Sequence, residues 1–133
     1  MKAVSARVTG GLNLGATLVV ADNSGGKIAR LVSVKRGKGR KGKQGVAKMA
    51  DMVKVSIRKG TPEMKGNVFD GIIVRQRKPY RRMDGERVVF EDNAVAILKD
   101  EKGNPKGTQI KGPVAREVME RWSSVARIAQ TVY

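Results

Sequence analysis

Apolar and polar residues alternate along most of the first hundred positions, and turn-forming residues interrupt the alternation at short intervals. Thr17 to Ala21 (TLVVA) reads as a short buried strand. Asp22–Asn23–Ser24–Gly25–Gly26 reads as a turn, because Asn and Gly tolerate positive φ and Asp bonds its own backbone. Ile28 to Val34 continues as a strand with Ile28, Val32 and Val34 on one face and Arg30 between them, so the two strands predict a hairpin. The cleanest period of two lies in Met52 to Lys59 (MVKVSIRK): Val53, Val55 and Ile57 face in, and Lys54, Ser56 and Arg58 face out. Val68 to Gln76, Val88 to Phe90 and Ala94 to Leu98 (AVAIL) follow as strands, separated by Met83–Asp84–Gly85 and Glu91–Asp92–Asn93.

The period changes after Gly112. Pro113 suits a first helical position, and Val114, Val118, Trp122 and Val125 then share one helical face. Arg116–Glu120 and Glu117–Arg121 stand four apart on its flanks. The spacing predicts a helix over about 114–121 and a second short turn near 123–129. Three segments result: a loose, polar, Gly-rich lead-in over 1–15, a strand-rich domain over 16–112 and a helical segment over 113–133 packed on it. At least five short strands followed by one helical end make a mainly β fold, a small antiparallel barrel with a C-terminal helical appendage.

Charge changes this picture most. The formal net charge is +16 from 28 Lys and Arg against 12 Asp and Glu. Two runs concentrate it. Lys35 to Lys48 (KRGKGRKGKQGVAK) carries seven basic residues, four Gly and no acid, and Arg75 to Arg82 (RQRKPYRR) carries five around Pro79 and Tyr80. Such density repels itself until a polyanion neutralises it and releases counterions. The chain therefore reads as a nucleic-acid binder. Gly lets the first run's backbone approach a crowded RNA surface while Lys35, Arg36, Lys38, Arg40, Lys41, Lys43 and Lys48 pair with phosphates. In the second run, arginine forks suit phosphates and guanine edges, and Tyr80 either lies against a nucleotide or packs across a strand.

Composition removes other classes. With no Cys and no His, thiolate metal sites, thiol catalysis and the commonest general base are absent, and the acids are scattered beside basic residues. No enzyme, cofactor, metal or small-molecule substrate is expected. Phe, Trp and Tyr number only 2, 1 and 2, so base stacking is not the main binding mode. Gly25–Gly26–Lys27 lacks the spacing of a phosphate-cradling P-loop. No apolar run approaches a membrane span, neither end carries a lipidation signal, and MKAVSARVTG has no signal-peptide core. A cytoplasmic protein without a membrane partner is expected. Trp122 reads as closing one end of the barrel, with the outer flank of its helix left for a partner.

Several segments carry a resemblance in this order: the DNSG turn, the basic ribbon, DMVKVSIRKG, GIIVRQRKPYRRMDGERVVFEDN and KGTQIKGPVAREV. The chain resembles the universal large-subunit ribosomal protein fourteen family, archaeal and eukaryotic branch, from Leu18 onward. Gly71 to Asn93 is the most specific part. One departure is Ala96, where a larger valine is usual. The resemblance implies a closed five-stranded β-barrel with a projecting β-ribbon and C-terminal helices. It implies a structural constituent of the large subunit, bound to large-subunit rRNA and bridging to small-subunit rRNA across the interface. It also implies neighbouring ribosomal proteins three and twenty-four (eukaryotic series) and docking of the anti-association factor, initiation factor six. Carried onto matching positions, it points to Lys35, Arg36, Lys38, Arg40, Arg58, Arg75, Arg77, Lys78, Arg81 and Arg82 for rRNA contact. By their charge, Arg75, Arg77, Arg81 and Arg82 are expected outside the core. Val114, Glu117, Arg121 and Arg127 form the expected protein-partner surface. Two competing classes use the same charges: a translation or RNA-maturation factor that cycles on and off RNA, and a DNA-compacting protein.

Overall fold

The computed structural model describes residues 4–35 and 46–133. Five strands close into a barrel: β2 (Thr17–Val20), β3 (Gly26–Val34), β4 (Met52–Gly60), β5 (Val68–Arg75) and β8 (Ala94–Ile97). Neighbours around the ring are antiparallel except β8 and β2, which pair parallel through Val19–Ala94 and Val20–Val95. An odd number of strands cannot alternate direction all the way round, so one parallel joint is unavoidable. The expected five-stranded barrel is present, with this single exception to its antiparallel order.

Period two explains β4 directly: Val53, Val55 and Ile57 are buried, and Arg58 is exposed. It fails for β3. Ala29 and Leu31 fill the interior, whereas Val32 is 45% exposed. Register shifts at Ile28/Ala29 and Leu31/Ser33 rotate the strand between its expected faces. With apolar residues on both faces of IARLVSV, alternation alone does not choose the inner one.

Two cores result. Leu18, Leu31, Val55, Ile57, Ile73, Val95 and Ile97 fill the barrel. A second core lies against the outside of β5 and β8, where Ile72, Val74, Ala94 and Ala96 meet Tyr80, Val88, Val114, Val118 and Val125. Strands covered on both faces need continuous apolar runs, which GIIV and AVAI supply. Ala96, the departure noted above, belongs to this second core.

The elements around the barrel correct three expectations. Residues 4–15 are tied down: β1 (Ala6–Arg7) pairs with β6 (Tyr80–Arg82), and Leu12 is buried and exchanges backbone hydrogen bonds with Ala47. β6 also pairs with β7 (Arg87–Val88), giving a three-stranded sheet β1-β6-β7. Pro113 lies in a strand, β9 (Ile110–Val114), which pairs in parallel with β10 (Ala129–Val132). The ring of Pro fixes φ without excluding an edge strand. Helix α1 therefore starts later, at Arg116–Arg121, with extended Ala115 before it, and α2 is Ser123–Ala126.

Candidate nucleic-acid interface

Alternation along β6 sorts the second basic run. Tyr80 and Arg82 point inward and Arg81 outward. Arg77, Lys78 and Arg81 are exposed, but Arg75 and Arg82 are buried. The expectation that all of these arginines stand outside the core is overturned for those two. Arg75 donates through Nε to Asp92 Oδ1 at 2.7 Å and through Nη2 to Oδ2 at 3.2 Å. Its Nη1 donates to the carbonyls of Lys111 and Pro113 at 2.9 and 3.0 Å. The fork thus joins β5, the loop after β7 and β9. Arg82 is held by Glu117, at 2.8 Å from Nε to Oε1, and by the backbone oxygen of Tyr133. Tyr80 donates its hydroxyl proton to the other Glu117 oxygen at 2.6 Å, so the question of its role resolves to packing. Burial, and then the hydrogen bond to Glu117, push the Tyr80 phenol well above its ordinary value.

The same buried pair corrects the expected partner surface. Val114 and Glu117 lie inside. Arg121 stands 3.5 Å from Asp51, with little of either side chain exposed, and only Arg127 is exposed. Trp122 packs against the second core, and its indole N–H donates to the Ala50 carbonyl at 2.8 Å.

The first basic run enters and leaves the barrel at described residues. Arg36, Lys38, Arg40, Lys41 and Lys43 lie outside those residues. Lys35 directly follows β3 with its Nζ 2.7 Å from Glu101 and 3.3 Å from Asp70, and the Glu101 hydrogen bond raises its pKa. Its charge is therefore partly matched within the protein. Lys48 is half-buried, and its backbone N–H donates to Asp51 at 3.1 Å. Ala50, two residues on, has φ of +68°, a conformation that costs a non-glycine residue roughly 1–2 kcal/mol.

Sequence reasoning missed the residue that joins the two runs. Gln76 is fully buried. Its Oε1 accepts from the Met49 N–H at 2.9 Å, and its Nε2 donates to the Thr9 and Lys78 carbonyls at 2.9 and 3.0 Å. One amide therefore fixes the return of the first run, the start of the second and the N-terminal segment. A lone Gln between two arginines, just past the end of β5, gives no signal of this. Arg7 and Arg87 were missed as well; both are exposed, on strands too short to show a period.

The arrangement presents cations from several strands on a rigid β framework whose own acids are largely committed to buried or local partners. A family model described as ribosomal protein L14p/L23e matches residues 11–133. The chain is similar to the large ribosomal subunit protein uL14 of Nanoarchaeum equitans, at 52% identity over 132 residues, covering 99% of each chain. It is also similar to the uL14 proteins of Methanothrix thermoacetophila and Haloarcula marismortui, at 48% and 47% identity with the same coverage.

Proposed function

Because this chain belongs to the ribosomal protein L14p/L23e family, and so is a non-enzymatic structural constituent of the large ribosomal subunit in the cytoplasm, we propose that it acts there by binding large-subunit rRNA through its exposed Lys and Arg. One observation carries this reading. Arg77, Lys78 and Arg81 are exposed, and none of them takes part in an ion pair among the described residues. A like-charged cluster without internal counter-charge gains free energy only from an external polyanion. Lys48 and Arg58 extend the set along the barrel, and Arg36, Lys38, Arg40, Lys41 and Lys43 belong to it by sequence. Arg75 and Arg82 hold that surface in place from behind. The barrel contributes rigidity.

The proposal extends to the subunit interface. There the same cations contribute bridges to small-subunit rRNA, and ribosomal proteins three and twenty-four are neighbours. Initiation factor six docks on the C-terminal flank. Exposed Arg116 and Arg127 support a docking surface on that flank, whereas the interior positions of Val114 and Glu117 move it away from the inner helix face.

Sucrose-gradient sedimentation of particles in high salt tests the central reading. A structural component stays with the large-subunit peak, and a factor that cycles on and off washes away. Cross-linking inside intact particles then reads the attached nucleotides and neighbours. Crosslinks from Arg77 or Lys78 to protein alone would count against rRNA contact.

A further inference from the structure

The three-stranded sheet outside the barrel has two chemically opposite faces. On its inner face Ala6 pairs with Arg82 and Tyr80 with Val88, and the one cation there is neutralised by Glu117. On its outer face the register places Arg7 directly opposite Arg81, and Arg81 directly opposite Arg87. Directly paired residues project to the same side, so three arginines form one row across three strands, and all three are exposed. None of the ion pairs within 4.0 Å among the described residues includes any of them. The nearby turn acids Asp84 and Glu86 take part in none of those ion pairs, and Asp84 accepts the Glu86 backbone N–H at 2.9 Å.

Like charges directly opposite one another destabilise a sheet. A row of three with no carboxylate is therefore an arrangement the isolated fold is better off without, and its free-energy gain must come from outside. Neighbouring strands lie about 4.8 Å apart, so the row spans roughly 10 Å at the backbone. That spacing lies between the B-form groove widths of about 6 and 12 Å and matches neither, whereas a flexible single strand brings its successive phosphates to it. Guanidinium forks suit phosphate oxygens bidentately. The geometry points to Arg7, Arg81 and Arg87 as a phosphate-binding ladder for a single, unpaired ribose-phosphate strand that crosses β1, β6 and β7. This rests on the proposal that the chain binds rRNA, and it adds a site that includes two arginines outside both basic runs. Recognition there is independent of base sequence, because phosphates carry no base information.

The experiment measures the affinity of the full chain against salt for three probes: large-subunit rRNA, single-stranded oligouridylate and an RNA duplex of the same length. The triple variant Arg7→Ser, Arg81→Ser, Arg87→Ser is expected to lose about two units from the slope of log K against log salt on oligouridylate, at roughly 0.7 per single-strand phosphate. Arg7→Ser and Arg87→Ser alone should each remove about 0.7. The triple Arg→Lys variant keeps its charge and should keep the slope; if it falls as the Ser variant does, the effect is structural and the ladder is overturned. Thermal melting in low salt should show the Ser variant no less stable than the wild type, because a repulsion has been removed. An equal slope loss on the duplex overturns the assignment to an unpaired strand. A wild type with a steep slope on rRNA that the triple Ser variant retains overturns the ladder alone. A wild type with no salt-dependent affinity for rRNA overturns the underlying reading instead.

Discussion

The Arg82 guanidinium donates to the Glu117 carboxylate at 2.8 Å, and the two side chains are 7% and 3% exposed. The pair joins the outer sheet to α1, and the Tyr133 backbone oxygen adds the end of the chain beyond β10. Burying two charges is costly, and the cost is offset here because Tyr80 supplies a further donor to Glu117. Glu117→Gln keeps the shape and removes the charge, leaving a buried guanidinium without its counter-ion. It should lower the free energy of unfolding by about 3–5 kcal/mol. Urea denaturation checks this, and a loss under 1 kcal/mol would show that Arg82 finds another anion or reaches water.

Tyr80 ties the same network to pH. Burial is the largest cause of its raised pKa and the Glu117 hydrogen bond the next, so the fold favours the neutral phenol. Below the ordinary tyrosine value near 10, folded and unfolded chains both keep the proton and the contribution is fully present. Above it the unfolded chain ionises first, so stability falls as pH rises toward the higher folded value. Tyr80→Phe cannot ionise, and the decline in its stability from pH 8 to pH 11 should be shallower than in the wild type. Parallel declines would mean that other groups account for alkaline unfolding.

These two residues also show what a single chain reveals. β4 is legible because MVKVSIRK alternates strictly, and β5 and β8 because GIIV and AVAI are apolar on both faces. β3 is ambiguous because either face can be the inner one, and bulges decide. The parallel pair β9 and β10 is hidden: its strands are short, its partners are distant in sequence, and Pro113 resembles a helix start. The basic run at Arg75 to Arg82 reads as uniform charge. Its sorting into buried and exposed members depends on Asp92 and Glu117, whose pairing is set by tertiary packing. Glu117 itself reads as surface because Arg121 stands four residues on, an ordinary helical pair. Its inward position goes with Tyr80 and Arg82, which meet its carboxylate from β6.

Gln76 gives a more local prediction. Gln76→Leu would leave the buried Met49 N–H without an acceptor and free the Thr9 and Lys78 carbonyls. Each buried orphan costs about 1–3 kcal/mol. Hydrogen exchange should show the Met49 amide losing protection, while amides in the middle of β4, such as Val55, stay protected unless the whole fold opens. Uniform loss of protection would show that Gln76 supports the barrel globally and is no local clasp.

Arg75 is tested most cleanly through a residue that carries no charge. Gly112 has φ of +78°, and a Cβ there would lie 2.6 Å from Arg75 Nη1. Gly112→Ala therefore combines backbone strain with displacement of the guanidinium from the Lys111 and Pro113 carbonyls. The strain is independent of Arg75, but the displacement is not. In an Arg75→Met background the clash with the guanidinium is gone, so Gly112→Ala should cost less there than in the wild type. A double-mutant cycle should give a coupling of about 0.5–3 kcal/mol. By contrast, Arg77→Ser at the exposed position two residues away should change stability by no more than about 0.5 kcal/mol. Strict additivity between Gly112→Ala and Arg75→Met would show that Arg75 does not hold β9, and that its hydrogen bonds there are incidental to the fold.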